Sequence, residues 1–494
     1  MNRPFDAKRY RRLLEGLEVT VLKLSEVEQE NEKMRLDSGY FAKLPVETQK
    51  RIEGSRHAKL GSLCATFRKG IFDIKADSYV EEGVPFVRIA NLRDGLISDA
   101  GLAYITEKAH VAEKATALRF GDLILSKTAY AAASFVNLPE CNVSQDTIAV
   151  RLSEEGKRLC DGAYLAMYLN SKYGIALMRR QFQGNVQEHL SLDDGRKIPV
   201  PLFDAKVQIA VKAALTQADA ELHRTEVHLT KAETTLAAAI GLDGWQPRQA
   251  LSYTRRASQA FAAGRLDAEY FREAYVAARK ALEQAGAIKF VPLEQQMSSL
   301  TNGHTPLRHD LTVGEVPFLC AEHVADFELT YDSDKRILRR HHQTELARTR
   351  VRNGDVLLSI KGRVGNFALA EDVPGDVNIN QDVALLRFKD TLPVWWVLAF
   401  LNSPFGKLQV QQHCTGGINP FLGLGNVRKL LVAVFDDGLM ARVAEQTREQ
   451  VHAARAARLR ARELLAAAQR AVEIAIEQDE AAALAHLATF GIAP

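Results

Sequence analysis

The sequence predicts a mixed α/β (α+β) protein: two tandem domains separated by long antiparallel coiled-coil helices, the whole a pseudo-twofold internal repeat. Three observations predict this. A heptad pattern occurs twice, blocks of sequence return after about 232 residues, and each copy holds short apolar runs bounded by turn residues.

The first heptad stretch runs from Asp204 to Ile240. Leu215, Leu222, Leu229 and Leu236 recur every seven residues, and Ala218, Thr225, Ala232 and Ala239 each follow three later. One face of a single helix is therefore apolar, which is a coiled-coil seam. About 37 residues at 1.5 Å each make a rod of roughly 55 Å, suited to a spacer. The partner lies in the same chain: Val451, Leu465 and Val472 are again spaced in sevens, with Ala454, Ala461, Ala468 and Ala475 in the three-later position. Arg458 occupies a seam position and breaks the pattern. No proline or glycine interrupts either set of seam residues, as an unbroken helix requires.

Within each copy the turn pairs Gly121-Asp122 and Gly354-Asp355 open the apolar runs LILS and VLLS, which read as buried strands. TIAVRL after Gln145-Asp146 and VALLRF after Gln381-Asp382 read as strands too. Helices are expected over Tyr164 to Met178 and Val394 to Val410. The boundaries follow: an N-terminal segment 1–55, a first domain 56–203, a spacer helix 204–240, a linker 241–287, a second domain 288–435 and a C-terminal spacer helix 436–494.

The repeat is legible residue by residue. Arg35-Leu36-Asp37-Ser38-Gly39-Tyr40-Phe41 returns as Arg265-Leu266-Asp267-Ala268-Glu269-Tyr270-Phe271. Val84-Pro85-Phe86 returns as Val316-Pro317-Phe318, RFGDLILSKTA from Arg119 as RNGDVLLSIKG from Arg352, and Asn142 to Asp146 as Asn378 to Asp382. Leu169-Asn170-Ser171 returns as Leu401-Asn402-Ser403. The copies differ at loop positions such as Ala129 to Pro139 against Gly362 to Pro374, where binding specificity is carried on a fixed scaffold. The Tyr40-Phe41 and Tyr270-Phe271 pairs read as core packing.

Composition sets the class. With 494 residues, 47% hydrophobic and 25% charged, the chain supports two or three domains with ordinary cores. No run reaches the ~18 apolar residues of a membrane span, and the start, MNRPFDAKRYRRLLEGLEV, lacks the apolar core of a signal peptide, so a cytoplasmic protein is expected. The five cysteines (Cys64, Cys141, Cys160, Cys320, Cys414) show neither Cys-x-x-Cys nor zinc spacing, so reduced thiols are expected and no metal or cofactor is called for. A net charge of +3 excludes blanket basicity of the histone kind. A local run survives that average: Lys335 to Arg363 carries Arg336, Arg339, Arg340, Arg348, Arg350, Arg352 and Lys361 against Glu345 and Asp355. It reads either as a solvated face or as phosphate-contacting surface.

Two divergent domains, each followed by a heptad helix, with GDLILSKTA…NVSQD and GDVLLSIKGRVGNFALAED…NINQD in corresponding places, resemble the specificity (S) subunit of type I restriction-modification systems. The second copy carries the resemblance most strongly, through Gly354 to Asp382 and LNSPFGKLQVQQHCTGGINPFLGLGNVRKLLV from Leu401. The first copy departs from it at Ser126-Lys127-Thr128-Ala129, which lacks the Gly-x-x-Gly of Gly362 to Gly365, and at Gly184-Asn185-Val186-Gln187. The resemblance implies two target-recognition domains that read double-stranded DNA, each one half of a split target, with no chemistry of their own. It also implies partners: two adenine methyltransferase subunits docked on the helices, and a translocating nuclease subunit joining for restriction. A related phage-defence complex built on the same module would read identically.

Two other classes compete. Phe421-Leu422-Gly423-Leu424-Gly425 spells the Phe-x-Gly-x-Gly loop of a DNA adenine methyltransferase, and Asn419-Pro420-Phe421 a shortened target-base motif. They share Phe421, and two motifs that follow different strands cannot overlap within seven residues. A coiled-coil protein-interaction scaffold explains the helices but not a duplicated domain with divergent loops. No phosphate-binding loop of an ATP motor and no carboxylate–lysine cluster of a nuclease is spelled out. Asp193-Asp194 and Asp436-Asp437 read as helix caps, and Ser126 and Ser359 as strand-end polar residues.

Candidate DNA-reading residues are the polar side chains of the copy-specific loops. They are Lys127, Thr128, Arg179, Arg180 and Asn185 in the first copy, and Lys361, Arg363, Asn366, His413 and Asn419 in the second. Arg and Lys address guanine or phosphate and Asn addresses adenine; the sequence leaves base and backbone contacts unsorted.

Overall fold

The computed structural model describes residues 6–15, 20–28, 31, 34–184, 188–247, 250, 252–307, 309–417 and 419–493. They form two compact units, one from residues up to Leu222 together with those from Leu459 onward, the other from His223–Arg458. Each unit holds one copy of the repeat, and each long helix contributes part of its length to both.

In the first unit the two expected apolar runs and a further strand on either side make one antiparallel sheet in the order Ala133–Phe135, Leu123–Ser126, Thr147–Leu152, Cys64–Lys69. Leu123 to Ser126 are all buried, so this run is continuous rather than alternating because both faces are covered. The second unit repeats the sheet as Phe367–Leu369, Val356–Ser359, Val383–Phe388, Met297–Asn302. Even the register break recurs: Ala65 and Ser298 are each passed over by the pairing, one residue into the outer strand. Each unit adds a small sheet centred on a parallel pair, Val84–Val87 with Glu140–Val143 and Val316–Leu319 with Asn378–Ile379. A closing pair then joins the ends of each copy, His57–Lys59 with Pro199–Pro201 and Lys289–Pro292 with Leu431–Val434.

The two helices expected after the strands are each two. Gly162–Asn170 gives way to Lys172–Gln181, and Val394–Asn402 to Pro404–His413. The break falls at Ser171 and Ser403, whose hydroxyls accept from Gly174 N at 3.2 Å and Gly406 N at 3.4 Å as N-caps of the second helix. Asn170 and Asn402 turn back onto the sheet edge instead. Asn402 Nδ2 donates to Phe367 O at 2.8 Å and its Oδ1 accepts from Phe367 N at 3.1 Å, and Asn170 meets Ala133 in the same way.

The spacer helices occupy Ala205–Ala239 and Asp437–Glu477. In the second unit Thr225 Oγ1 donates to Ala454 O and His228 Nδ1 lies 2.8 Å from Gln450 Oε1, so the helices run antiparallel. They are not a bare coiled coil. Ala210, Ala214, Leu215 and Ala218 share one core with Ala461, Leu465, Ala468, Val472 and the first copy's own Leu165, Leu169 and Val200. Ala232, Leu236, Val443 and Val451 likewise join Trp396, Leu398 and Val432 of the second copy. Small seam residues admit this close approach, and the helix faces are extensions of the domain cores.

Arg458, out of place in the heptad, is explained by that docking: its guanidinium pairs with Glu328, which is only 7% exposed. The C-terminal helix ends at Glu477, and Asp479 N-caps a separate helix, Glu480–Ala488, by accepting from Ala482 N at 2.8 Å. The expected capping by Asp193-Asp194 is corrected as well. Ser191 is the cap and accepts from Asp194 N at 3.1 Å, while Asp436 does cap, accepting from Gly438 N at 2.9 Å. No helix among the described residues is long and apolar enough to cross a membrane.

Candidate nucleic-acid interface

The copy-specific loops hang from a polar framework that the two units share almost bond for bond. Asp122 accepts from Arg119 N at 2.9 Å and from Arg151 Nη2 at 2.7 Å; Asp355 accepts from Arg352 N at 2.9 Å and from Arg387 Nε at 2.8 Å. These carboxylates are 6% and 3% exposed, and each raises the pKa of its arginine. The arginines continue to a backbone carbonyl, Ala117 O at 2.9 Å and Arg350 O at 3.1 Å.

A second pin fixes the strand before the Gln-Asp pair. Thr116 Oγ1 donates to Asn142 Oδ1 and Thr349 Oγ1 to Asn378 Oδ1, both at 2.7 Å. Asn378 Nδ2 donates to Leu346 O at 3.0 Å and faces His342 Nδ1 at 3.2 Å, as Asn142 faces His110 at 3.5 Å. Burial pushes the His342 pKa down, consistent with a neutral ring whose Nδ1 accepts and whose Nε2 faces Asp376 at 3.3 Å. Ser126 and Ser359, expected only as strand ends, close the loops that follow: each hydroxyl donates across the loop, to Tyr130 O and to Arg363 O, and accepts from Ala132 N at 2.8 Å and Asn366 N at 3.1 Å. The loop bend needs a left-handed residue, supplied by Gly362 at φ 72° and, at more strain, by Ala129 at φ 63°.

On this framework the first copy opens a cleft of about 370 Å³ lined by Lys69, Lys127, Thr128, Gln145, Asp146 and His189. Lys127 N donates to Asp146 O and Lys127 O accepts from Leu190 N, both at 2.8 Å, and Thr128 pairs with His189 across the loop. Gln145 and Asp146 form a ridge, and beyond it a second cleft is lined by Tyr79, Arg88 and Ile71 among others. The structure thus brings Lys127 and Thr128 together with Lys69 and His189, which sequence reasoning missed. Arg179 is exposed at the end of helix Lys172–Gln181, and Asn185 lies outside the described residues. Arg180 is taken up internally: Nε donates to Tyr40 O at 2.8 Å, Nη1 to Gln49, and the guanidinium covers the Tyr40 ring at 4.4 Å.

In the second copy Lys361 is exposed beside the same ridge, 3.8 Å from Asp382 and 5.4 Å from the centre of the Phe421 ring. Thr305 Oγ1 donates to Gln381 Oε1 at 2.7 Å, fixing the ridge from the other side. Arg363 and Asn419 are exposed. Asn366 is not a free reader: its amide donates to Val324 O at 3.1 Å and its oxygen accepts from Lys407 Nζ at 3.3 Å. Nor is His413, half-buried against the Tyr270 ring at 5.7 Å. Burial, with Lys429 and Arg265 nearby, pushes its pKa down to about 4. The side chains of Arg180, Asn366 and His413 are thus engaged within their own units. Much of the charge run from Lys335 is likewise spent within the unit, as Lys335 on Glu322 at 2.7 Å, Arg339 on Asp376, and Arg350 on His342 O at 3.0 Å.

Solved structures of type I specificity subunits are similar to this chain along most of its length. The S subunit from M. genitalium aligns over 89% of this chain and 96% of its own, at 12% identity and a TM-score of 0.36. The HsdS subunit from Thermoanaerobacter tengcongensis aligns over 86% and 97%, at 16% identity and 0.28. The type IIG restriction endonuclease BpuSI aligns over 40% of this chain and 30% of its own, at 11% identity and 0.29. No family model matches the sequence, and neither does any curated protein.

Two local features bear on chemistry. The Phe-x-Gly-x-Gly spelling forms a helix start, with Gly423 as N-cap of Leu424–Lys429, and Phe421 pairs with Thr415 and Lys361. Cys320, Glu322 and His323 converge closely enough for metal ligation, a cluster absent from the sequence reading. The Lys335 ammonium fills it, 2.7 Å from Glu322 Oε1 and 3.5 Å from Cys320 Sγ, and His323 Nδ1 accepts from Cys320 N at 3.0 Å. The cluster is an ion-pair site.

Proposed function

We propose that the chain is the sequence-reading subunit of a type I restriction-modification complex or a related phage-defence complex. It reads a bipartite double-stranded DNA target with its two domains and docks adenine methyltransferase subunits that perform the chemistry. The observation that carries this reading is the contrast within the repeat. Asp122–Arg151 and Asp355–Arg387, and the Asn-Thr-His pins, are the same to within a few tenths of an ångström, while the loops they hold present Lys127-Thr128 in one copy and Lys361 with Arg363 in the other. An identical mount with different tips is what two readers of two different half-sites need.

The reading residues are Lys69, Lys127, Thr128 and His189 in the first copy and Lys361, Arg363 and Asn419 in the second. Lysine and arginine supply phosphate contact and guanine readout, and asparagine matches adenine. The cytoplasm is the compartment in which such a complex meets DNA.

The test is a domain exchange. Replacing residues 288–435 with the corresponding domain of a relative, in a chain produced with its methyltransferase, changes one half of the methylated sequence and leaves the other intact. Sequencing of methylated adenines reads the outcome, and a change in both halves, or in neither, refutes independent readers.

A further inference from the structure

Beside the differing loops of each unit stands one turn whose crest is the same in both. Ser144-Gln145-Asp146-Thr147 closes with Thr147 N donating to Ser144 O at 3.0 Å, and Asn380-Gln381-Asp382-Val383 with Val383 N donating to Asn380 O at 3.4 Å. The two turns are held from the same sides. Lys127 N donates to Asp146 O at 2.8 Å and Ile360 N to Asp382 O at 2.9 Å, while Ser144 N donates to Val87 O at 3.0 Å and Asn380 N to Leu319 O at 2.9 Å. Gly70 and Gly303 lie so close behind that a Cβ on either would overlap Ser144 O or Ile379 O. The crest is therefore positioned through its backbone.

None of these bonds uses the glutamine side chain, yet Gln145 and Gln381 are identical and both half-buried. They hold the second position of a four-residue turn, which most residue types can occupy. Among the described residues the Gln145 amide has no hydrogen-bond partner. Gln381 is aimed rather than consumed: its Oε1 accepts from Thr305 at 2.7 Å, which leaves a second lone pair and the Nε2 donors. The neighbouring aspartate is used differently in the two copies. Asp382 accepts from Asn380 Nδ2 at 2.9 Å, and the first copy has Ser144 in place of that asparagine. Gln145 also lines both clefts, with Lys69, Lys127 and His189 on one side and the exposed Arg88 on the other. A polar side chain on a rigid crest between two cationic walls suits the major groove, where base edges lie between two phosphate backbones.

We propose that Gln145 and Gln381 are specificity-determining residues that each read one adenine in the major groove. Oε1 accepts from adenine N6–H and Nε2 donates to N7, the bidentate match of a glutamine amide to that base. The same reader in both copies, where the surrounding loops differ, requires the same base pair in two otherwise different half-sites. The proposal rests on the reading above that each domain meets one half of a DNA target.

The experiment uses the full chain produced with the methyltransferase encoded beside it. Sequencing of methylated adenines defines the wild-type target. Competition binding then replaces the adenines of each half, one at a time, by 7-deazaadenine, which keeps Watson–Crick pairing and lacks the N7 acceptor. One position in each half is expected to weaken wild-type binding about tenfold. Gln145→Ala should bind the natural target about tenfold more weakly and lose that sensitivity in the first half alone; Gln381→Ala should lose it in the second alone. Gln145→Met and Gln381→Met replace the alanines if melting falls. A side chain that only supports the fold would weaken binding and leave the N7 dependence in place. A half-site with no position whose sensitivity the matching variant removes overturns the assignment, while a bipartite wild-type target leaves the two-domain reading standing. A wild-type complex with no sequence preference overturns both.

Discussion

Removing the lysines of the first cleft gives a measurable change in salt dependence. Lys69 is exposed, with its ammonium 4.8 Å from the Phe72 ring, and Lys127, half-buried, lines the same cleft; neither has an ion pair among the described residues. If each meets one phosphate, each contributes about 0.9 to the slope of log K against log salt. At about 0.1 M salt, one logarithmic unit below the 1 M reference, that is roughly eightfold in affinity per lysine. The double variant Lys69→Ala, Lys127→Ala should therefore bind roughly sixtyfold more weakly, about 2.5 kcal/mol, with the difference vanishing on extrapolation to 1 M. Fluorescence anisotropy of a labelled duplex of about 30 base pairs and arbitrary sequence, titrated across about 50 to 200 mM salt, measures both quantities without knowledge of the target. Lys361→Ala should lower the slope by less than one lysine's share, because Asp382 at 3.8 Å already neutralises part of its charge. A slope unchanged within about 0.3 in a double variant that melts like wild type would refute the placement of DNA over this cleft.

The framework makes its own predictions. Asp355→Ala strands an arginine whose side chain is 29% exposed and orphans the Arg352 N–H, so it should cost about 2–4 kcal/mol, and Asp122→Ala, facing a 36% exposed Arg151, somewhat less. Urea midpoints check this, and a cost below about 1 kcal/mol would show that the pins are dispensable. His413 has a folded pKa of about 4 against an ordinary value of 6.5, so between those values the unfolded chain binds more protons and stability falls as pH is lowered from 6.5 toward 4. His413→Leu should remove about 1–2 kcal/mol of that fall, and a melting profile over the same window that the variant leaves unchanged would contradict it. Calorimetry should detect no S-adenosylmethionine binding to the isolated chain, since the Phe421 to Gly425 stretch builds a helix start; stoichiometric binding would reopen the enzyme reading.

What the sequence disclosed depended on how locally each feature is encoded. The strands Leu123–Ser126 and Val356–Ser359 were legible because an apolar run follows a Gly-Asp turn, and the structure ends them where the run ends. The helix breaks at Ser171 and Ser403 were not, because helical period continues through them and the signal is a serine hydroxyl choosing a backbone N–H. Arg458 looked like a defect in a seam because its reason, Glu328, lies on a hairpin 130 residues away. The Asn-Thr-His pins escaped notice although Asn142 and Asn378 stood in a recognised block. His110 precedes Thr116 by six residues and His342 precedes Thr349 by seven, so no fixed spacing links them. Within the clefts, Lys127 and Thr128 were visible because the copies differ there. Lys69, at the end of a framework strand, and His189, on a short hairpin, join them only through pairing.

The distribution of buried polar groups explains how one scaffold tolerates two different surfaces. A sheet edge with only apolar contacts can slip or tilt when its loops change, because hydrophobic packing is non-directional. Here each loop leaves the sheet between directional fixtures: Asp122 or Asp355 before it, Ser126 or Ser359 across it, and Asn142 or Asn378 behind the ridge that faces it. A buried polar network is costly when half-satisfied, so each partner constrains the others to stay. Residues between the fixtures, including those exposed at the clefts, are thereby left free to differ between the copies. Replacing a fixture should disturb every loop of its unit at once, whereas replacing Lys127, Thr128 or Arg363 should alter recognition and leave the fold in place.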